Sequence, residues 1–350
     1  MLISEHSTAA LQEALASGQK DIYCQGLFLS ARWFVLSAAR GAGISLAVLP
    51  DKESAEYCAA DLYNLTEGDK VFYLPDSGKN AVRSNYKSSL GVQRTSAIGK
   101  IRSCEPGTVI VSYPEALEER LPSSSDALSP LLSLKAGDEI SHDEISSILS
   151  EAGFENVDFV SEPGQYTLRG GVVDIFSYSF NYPFRLSLFG NEIEKIYTFD
   201  TNTQLSKESV DKVDIYGDMA SDSDTEGLFI SDILPEDCIV WLDSSDSYRE
   251  REFFSRLSPF RKVYLETPLS AVKASPIRFD ISPQPAFNKN FDLLIQDIKN
   301  RLEKGYKVYI YGEKRSQLER LRSIILAEEG TVPEMVEGKN LHNGFIDHES

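Results

Sequence analysis

Histidine and cysteine are scarce in this chain, with four of each in 350 residues. The histidines, His6, His142, His342 and His348, do not fall at metal-ligand spacing. The cysteines, Cys24, Cys58, Cys104 and Cys238, form no CxxC pair. No metal site and no catalytic metal are therefore expected. The start, Met1-Leu2-Ile3-Ser4-Glu5-His6, lacks the basic and apolar regions of a secretion signal. No uninterrupted apolar run approaches membrane-spanning length. The expectation is a cytoplasmic chain with reduced thiols and no membrane partner. Basic residues are also in short supply, 35 against 54 acidic ones, for a formal charge of −19. That balance opposes direct binding to phosphate backbones, which takes clustered Lys and Arg. It leaves open a protein partner that itself binds DNA. There is no internal repeat.

What is present is enough apolar material for real cores: 41% hydrophobic and 10% aromatic residues. The length allows two or three domains. Residues 1–120 read as alternating helices and strands. Ser7 is placed to cap a helix through Leu11 and Leu15 to Gly18, and Arg32 to Arg40 reads as helical. Ile44 to Leu49 reads as a buried parallel strand, and Asp51 as the cap of a helix through Cys58 and Leu62. Further strands are expected at Val71 to Leu74 and Val109 to Val111. This alternation predicts a parallel sheet covered by helices.

The pattern changes at Leu121-Pro122-Ser123-Ser124-Ser125. Ser141 and Glu144 form a capping-box signature. Strands are predicted at about 158–161, 165–169, 172–176, 184–189 and 192–199, with Gly190-Asn191 as a two-residue hairpin turn. Residues 121–216 thus read as a small inserted α+β module with an antiparallel sheet. Gly217 to Gly227 reads as an acidic linker, and 217–350 as the second half of a split α/β domain. That half has strands at Ile239 to Leu242, Val263 to Leu265 and Lys307 to Tyr311. Its helices run over about 287–303 and through Leu318, Leu321 and Ile325. No closing element is expected at Asp347-His348-Glu349-Ser350, as in a piece of a longer protein.

One strand of the module carries the functional argument. In Phe184-Arg185-Leu186-Ser187-Leu188-Phe189, alternation puts Phe184, Leu186 and Leu188 on one face and Arg185, Ser187 and Phe189 on the other. Arg185 and Arg169 are the only arginines between residues 121 and 216. That stretch holds 16 Asp and Glu against 6 Lys and Arg, a local net of −10. Isolated arginines beside an exposed aromatic fit a protein-binding patch. The plain alternative is that both arginines are solvated strand residues balancing acidic neighbours. No catalytic residues emerge, because Asp174, Glu192 and Glu194 sit like ordinary charges flanking a hairpin.

Three runs carry a resemblance. They are Glu162-Pro163-Gly164-Gln165-Tyr166-Thr167-Leu168-Arg169-Gly170-Gly171-Val172-Val173-Asp174-Ile175-Phe176, then Pro183 to Glu194, then Tyr197-Thr198-Phe199-Asp200 with Thr203-Gln204. Together this block resembles the nucleotide-excision-repair family of UvrB and the bacterial transcription-repair coupling factors. Ser177 stands where the family commonly has proline.

The resemblance implies a helicase-like α/β fold and a UvrA-binding role for Arg169, Arg185 and Phe189. It also points to the place of a phosphate loop, Gly26-Leu27-Phe28-Leu29-Ser30-Ala31-Arg32-Trp33. Ala31, Arg32 and Trp33 stand where glycine, lysine and Ser or Thr would serve phosphates and Mg²⁺. The loop reads as degenerate, as in the coupling-factor branch, so no ATP or Mg²⁺ is expected in this chain. In that branch ATP-driven translocation belongs to a C-terminal motor. RNA polymerase and DNA would be reached through the parent protein, and this chain would recruit UvrA and contact its own C-terminal domains. The alternatives are a UvrB-like ATP-dependent damage-loading enzyme and a regulatory module that docks only on its own motor domains.

Overall fold

The computed structural model describes residues 3–66, 68, 70–77, 84–121, 128–219, 227–266, 271, 275–288, 290–329 and 333–349, with only the backbone at 84–88 and 327–329. The Pro122-Ser123-Ser124-Ser125 boundary and most of the expected linker at 217–227 lie outside these residues. The chain divides into two compact units. One comprises residues 1–71, 239–250 and 260–350, the other residues 72–238 and 251–259.

The first unit is built on parallel strands in the order Ile277–Arg278, Asp21–Gln25, Arg261–Tyr264, Ile239–Leu242 and Ser45–Val48. Every residue of Ile239–Leu242 and Ser45–Val48 is buried. Continuous apolar runs of this kind mark strands covered on both faces. Helices Glu5–Ala16, Ala31–Ala39 and Lys52–Thr66 belong to the same unit. Asp51 caps the third of these as expected, accepting the Ser54 N–H at 2.8 Å. Ser7 does not cap the first. The helix starts two residues earlier, and the Ser7 hydroxyl instead donates to the Arg278 carbonyl at 2.6 Å.

A smaller cluster in this unit joins helices Phe291–Glu303 and Arg315–Glu329 to the parallel pair Tyr309–Gly312 and Glu334–Glu337, through Ile295, Ile298 and Ile325. The first of these helices begins at 291 rather than 287, because Asn290 caps it by accepting the Leu293 N–H. Phe345–Asp347, ending at the first residue of the stretch expected to carry no closing element, forms a strand antiparallel to Ile281–Pro283. Asp347 then accepts the Ser4 N–H at 2.7 Å.

The second unit holds the antiparallel sheet. Its order is Ser206–Val210, Glu192–Phe199, Phe184–Phe189, Val172–Ile175, Gln165–Arg169 and Glu155–Asn156, the last pair being parallel. Helix His142–Glu151 packs on it, capped by the Ser141 hydroxyl accepting the Glu144 N–H. Leu132–Lys135 and Lys212–Ile215 form a separate antiparallel pair. One core unites these pieces: Leu134, Ile145, Leu149, Tyr166, Val173, Leu186, Ile193, Ile196 and Val213 are all buried in it. Residues 158–161 are not the strand expected from their sequence; the paired residues are 155–156. The chain bends at 158–159 and turns Val160 inward against Phe176 and Phe199. Helix Ser84–Ser103 in this unit had no counterpart in the sequence reading.

Candidate protein-docking site

Register places the candidate residues without reference to their roles. Across neighbouring strands Thr167 faces Asp174, Asp174 faces Arg185 and Arg185 faces Tyr197. Two residues along, the row reads Arg169, Val172, Ser187 and Lys195. Phe189 pairs with Glu192 at the end, across the Gly190-Asn191 turn, where Gly190 takes φ +62°. A two-residue turn of this kind needs left-handed backbone at its first position, which glycine supplies. Since side chains alternate, Arg169, Arg185 and Phe189 share the face opposite the Leu186 and Val173 core. Phe189 is 77% exposed.

The two arginines are held very differently. Arg185 grips Asp174 with both prongs: Nε donates to Oδ1 at 2.7 Å and Nη2 to Oδ2 at 2.8 Å. Its third donor, Nη1, reaches the Gln204 carbonyl at 2.9 Å, and its guanidinium lies 4.6 Å from the Phe199 ring centre. The Asp174 side chain is only 5% exposed and that of Arg185 22%. Hydrogen bonding to the carboxylate raises the Arg185 pKa further, against a smaller opposing effect of burial. Such a fork–fork pair fixes orientation as well as charge.

Gln204 is itself locked. It sits at φ +59°, and its Nε2 donates to the Thr201 and Val160 carbonyls. Asp200 closes the same turn, accepting the Asn202 and Thr203 N–H groups. Lys207 above all, then these amides, hold the Asp200 carboxyl well below its usual range. Arg169 has no carboxylate within ion-pair distance among the described residues. Its Nε donates a long 3.4 Å bond to Thr167, and its guanidinium stacks 4.4 Å from the ring centre of Phe159. Sequence reasoning passed over Phe159, which it assigned to a strand. It also missed that Asp174 is the partner of Arg185, although the strand pattern puts both on one face.

The loop at 26–33 lies in the other unit. Gly26 takes φ +84°, and a Cβ there would come within 2.1 Å of the Phe279 carbonyl oxygen. Glycine thus allows the chain's own backbone to approach. Ala31 and Trp33 are buried on the helix that follows. Arg32 donates from Nη1 to Asp243 Oδ1 at 2.6 Å and from Nη2 to Glu266. Asp243 directly follows the fully buried strand Ile239–Leu242, and burial pushes its carboxyl up to about 6 despite the opposing charge of Arg32. Burial likewise pushes the Cys24 thiol up to about 12, which leaves it a poor nucleophile. No His, Cys, Asp and Glu grouping suited to a metal occurs among the described residues, and no helix there is long and apolar enough to cross a membrane.

Comparison with known family models bears on the sheet. Residues 132–220 match the family model described as the UvrB interaction domain. The chain is similar to the transcription-repair-coupling factor of Bacillus subtilis, at 30% identity over 165 residues, 46% of this chain and 14% of that protein. The Escherichia coli factor of the same name is 26% identical over 186 residues, 51% of this chain and 15% of the relative. The Staphylococcus aureus factor is 39% identical over a shorter stretch of 84 residues, 24% of this chain and 7% of the relative. The matched part of the chain thus spans a small fraction of each relative's length.

Proposed function

We propose that this chain is the partner-docking part of a transcription-repair coupling factor, and that it recruits UvrA through the outer face of its antiparallel sheet. In this reading residues 121–216 are the docking module, and 1–120 and 217–350 are a helicase-like α/β part that has lost ATP binding. The whole protein would clear RNA polymerase stalled at a lesion using a motor that lies in other parts of its sequence.

The observation that carries the reading is the shared face of Arg169, Arg185 and Phe189 inside the matched interaction domain. An exposed phenylalanine beside guanidinium groups is the composition of interface hot spots. The loss of ATP binding is supported by Ala31-Arg32-Trp33, with Arg32 already engaged by Asp243 and Glu266. The test is UvrA affinity by titration calorimetry, with thermal melts beside it. Arg169→Ala and Phe189→Ala should each cost about 1–4 kcal/mol of binding while leaving the melting temperature within a few degrees. Micromolar or tighter binding by the wild-type chain that neither substitution changes would remove the site.

A further inference from the structure

We propose that Phe159 is a second aromatic anchor of the docking face, stacked on Arg169 and sharing that face with Phe189, so that the face takes a carboxylate set among apolar recesses on the partner. The inference rests on the reading above that the partner is UvrA. It adds a contact residue and a chemical description of the surface that must meet it.

The bend at 158–159 presents Phe159 for structural reasons. On one side, the Val157 N–H donates to the Tyr166 carbonyl at 2.9 Å. On the other, Val160 is fully buried with Phe176 and Phe199, and its carbonyl accepts from Gln204. Ser161 is pinned in turn, its N–H donating to the Gln165 side chain at 2.9 Å. With both flanks fixed, the side chain between them faces out, and Phe159 is 63% exposed. A large apolar ring held in water by an otherwise rigid loop gains nothing from folding beyond its contact with Arg169. Such exposure on a rigid frame is what a binding anchor requires, because little side-chain freedom remains to be lost on docking.

Charge supplies the rest. Arg185 already gives three of its five N–H groups to Asp174 and the Gln204 carbonyl, so it is less available than Arg169 to a partner carboxylate. Arg169 is stacked on Phe159 and pairs with no carboxylate among the described residues, within a stretch whose net charge is −10. Lys195 on the same row is also exposed, and Arg169 adds a planar fork, oriented by stacking on Phe159, to meet an acidic group. Leu205, 67% exposed directly after the Gln204 carbonyl that accepts from Arg185, extends the apolar rim.

The experiment is a double-mutant cycle on UvrA binding by the full chain, using Phe159→Ala, Arg169→Ala and both together, with melts of each. Leu293→Ala, an exposed apolar truncation in the other unit, is the control. Phe159→Ala should weaken UvrA binding roughly five- to fiftyfold. In the Arg169→Ala background it should still weaken binding at least threefold. An unchanged affinity for Phe159→Ala, with Phe189→Ala still impaired, overturns the second anchor and leaves the docking reading standing. A loss that vanishes in the Arg169→Ala background also overturns it, because Phe159 then only positions the arginine. Absence of wild-type binding to UvrA defeats the docking reading itself, and the anchor with it.

Discussion

Arg185 shows how one side chain can be spent largely on holding its own sheet together. Its carboxylate partner Asp174 is almost wholly buried, so removing the guanidinium strands a charge in the sheet. Arg185→Ala should therefore destabilise the fold by about 3 kcal/mol, more than either Arg169→Ala or Phe189→Ala. Denaturant titration checks this, and Asp174→Ala in the same chain should restore at least half of the loss. Equal stability of all three single variants would contradict it. Asp243 poses the opposite problem, a buried carboxyl whose folded pKa, about 6, lies above its unfolded value near 4. Between those values the folded chain holds a proton that the unfolded chain has released. Stability from this group is greatest below about pH 4 and is lost as the pH rises through 6. A gap of roughly two units corresponds to ~3 kcal/mol. Asp243→Asn cannot titrate, so its stability relative to wild type should improve by about that amount from pH 4 to pH 7. A constant difference across that range in urea melts would show that Asp243 stays ionised.

At the scale of elements, legibility followed the strength of local pattern. Phe184–Phe189 was readable because a period of two separates its faces and a Gly-Asn turn fixes its register with Glu192–Phe199. Ser206–Val210 was not, since SKESV is a polar edge strand whose pairing is decided by its neighbour. Charged, short edges guard against unwanted pairing, and they also hide the strand from propensity. Residues 158–161 misled in the other direction: Phe159 and Val160 look strand-like, but Val160 is drawn under the sheet's outer face by Phe176 and Phe199. Helix Ser84–Ser103 lacks a sharp apolar stripe, so no period announces it. The shared face of Arg169, Arg185 and Phe189 was legible from strand alternation. The pairing of Arg32 with Asp243, 211 residues away, could not be read from any local spacing.

For the molecule as a whole, charge and the state of the 26–33 loop make one joint statement about ligands. A formal charge of −19 provides no extended basic surface, and Arg32 is spent on two carboxylates. Neither Mg-ATP at millimolar concentration nor a duplex oligonucleotide at about 150 mM salt should show saturable binding. Calorimetry and gel shift check the two arms. Low-micromolar ATP binding would favour a UvrB-like enzyme, and a sub-micromolar DNA shift would displace the docking reading. A DNA shift that appears only on adding UvrA is the outcome expected of a recruiter.

The parallel sheet of the first unit also sets a timetable for synthesis. Asp21–Gln25 lies between Arg261–Tyr264 and Ile277–Arg278, so both of its neighbours are made about 240 residues after it. At ~5–20 residues per second, the first strand waits roughly 10–50 s beside the ribosome with its apolar edges unpaired. The core centred on Leu134, Val173, Leu186 and Val213 is continuous in sequence and can close within that interval. The proposed docking module can thus close while the first unit is still incomplete. The candidate docking face can therefore be in place before the sheet of the first unit is complete.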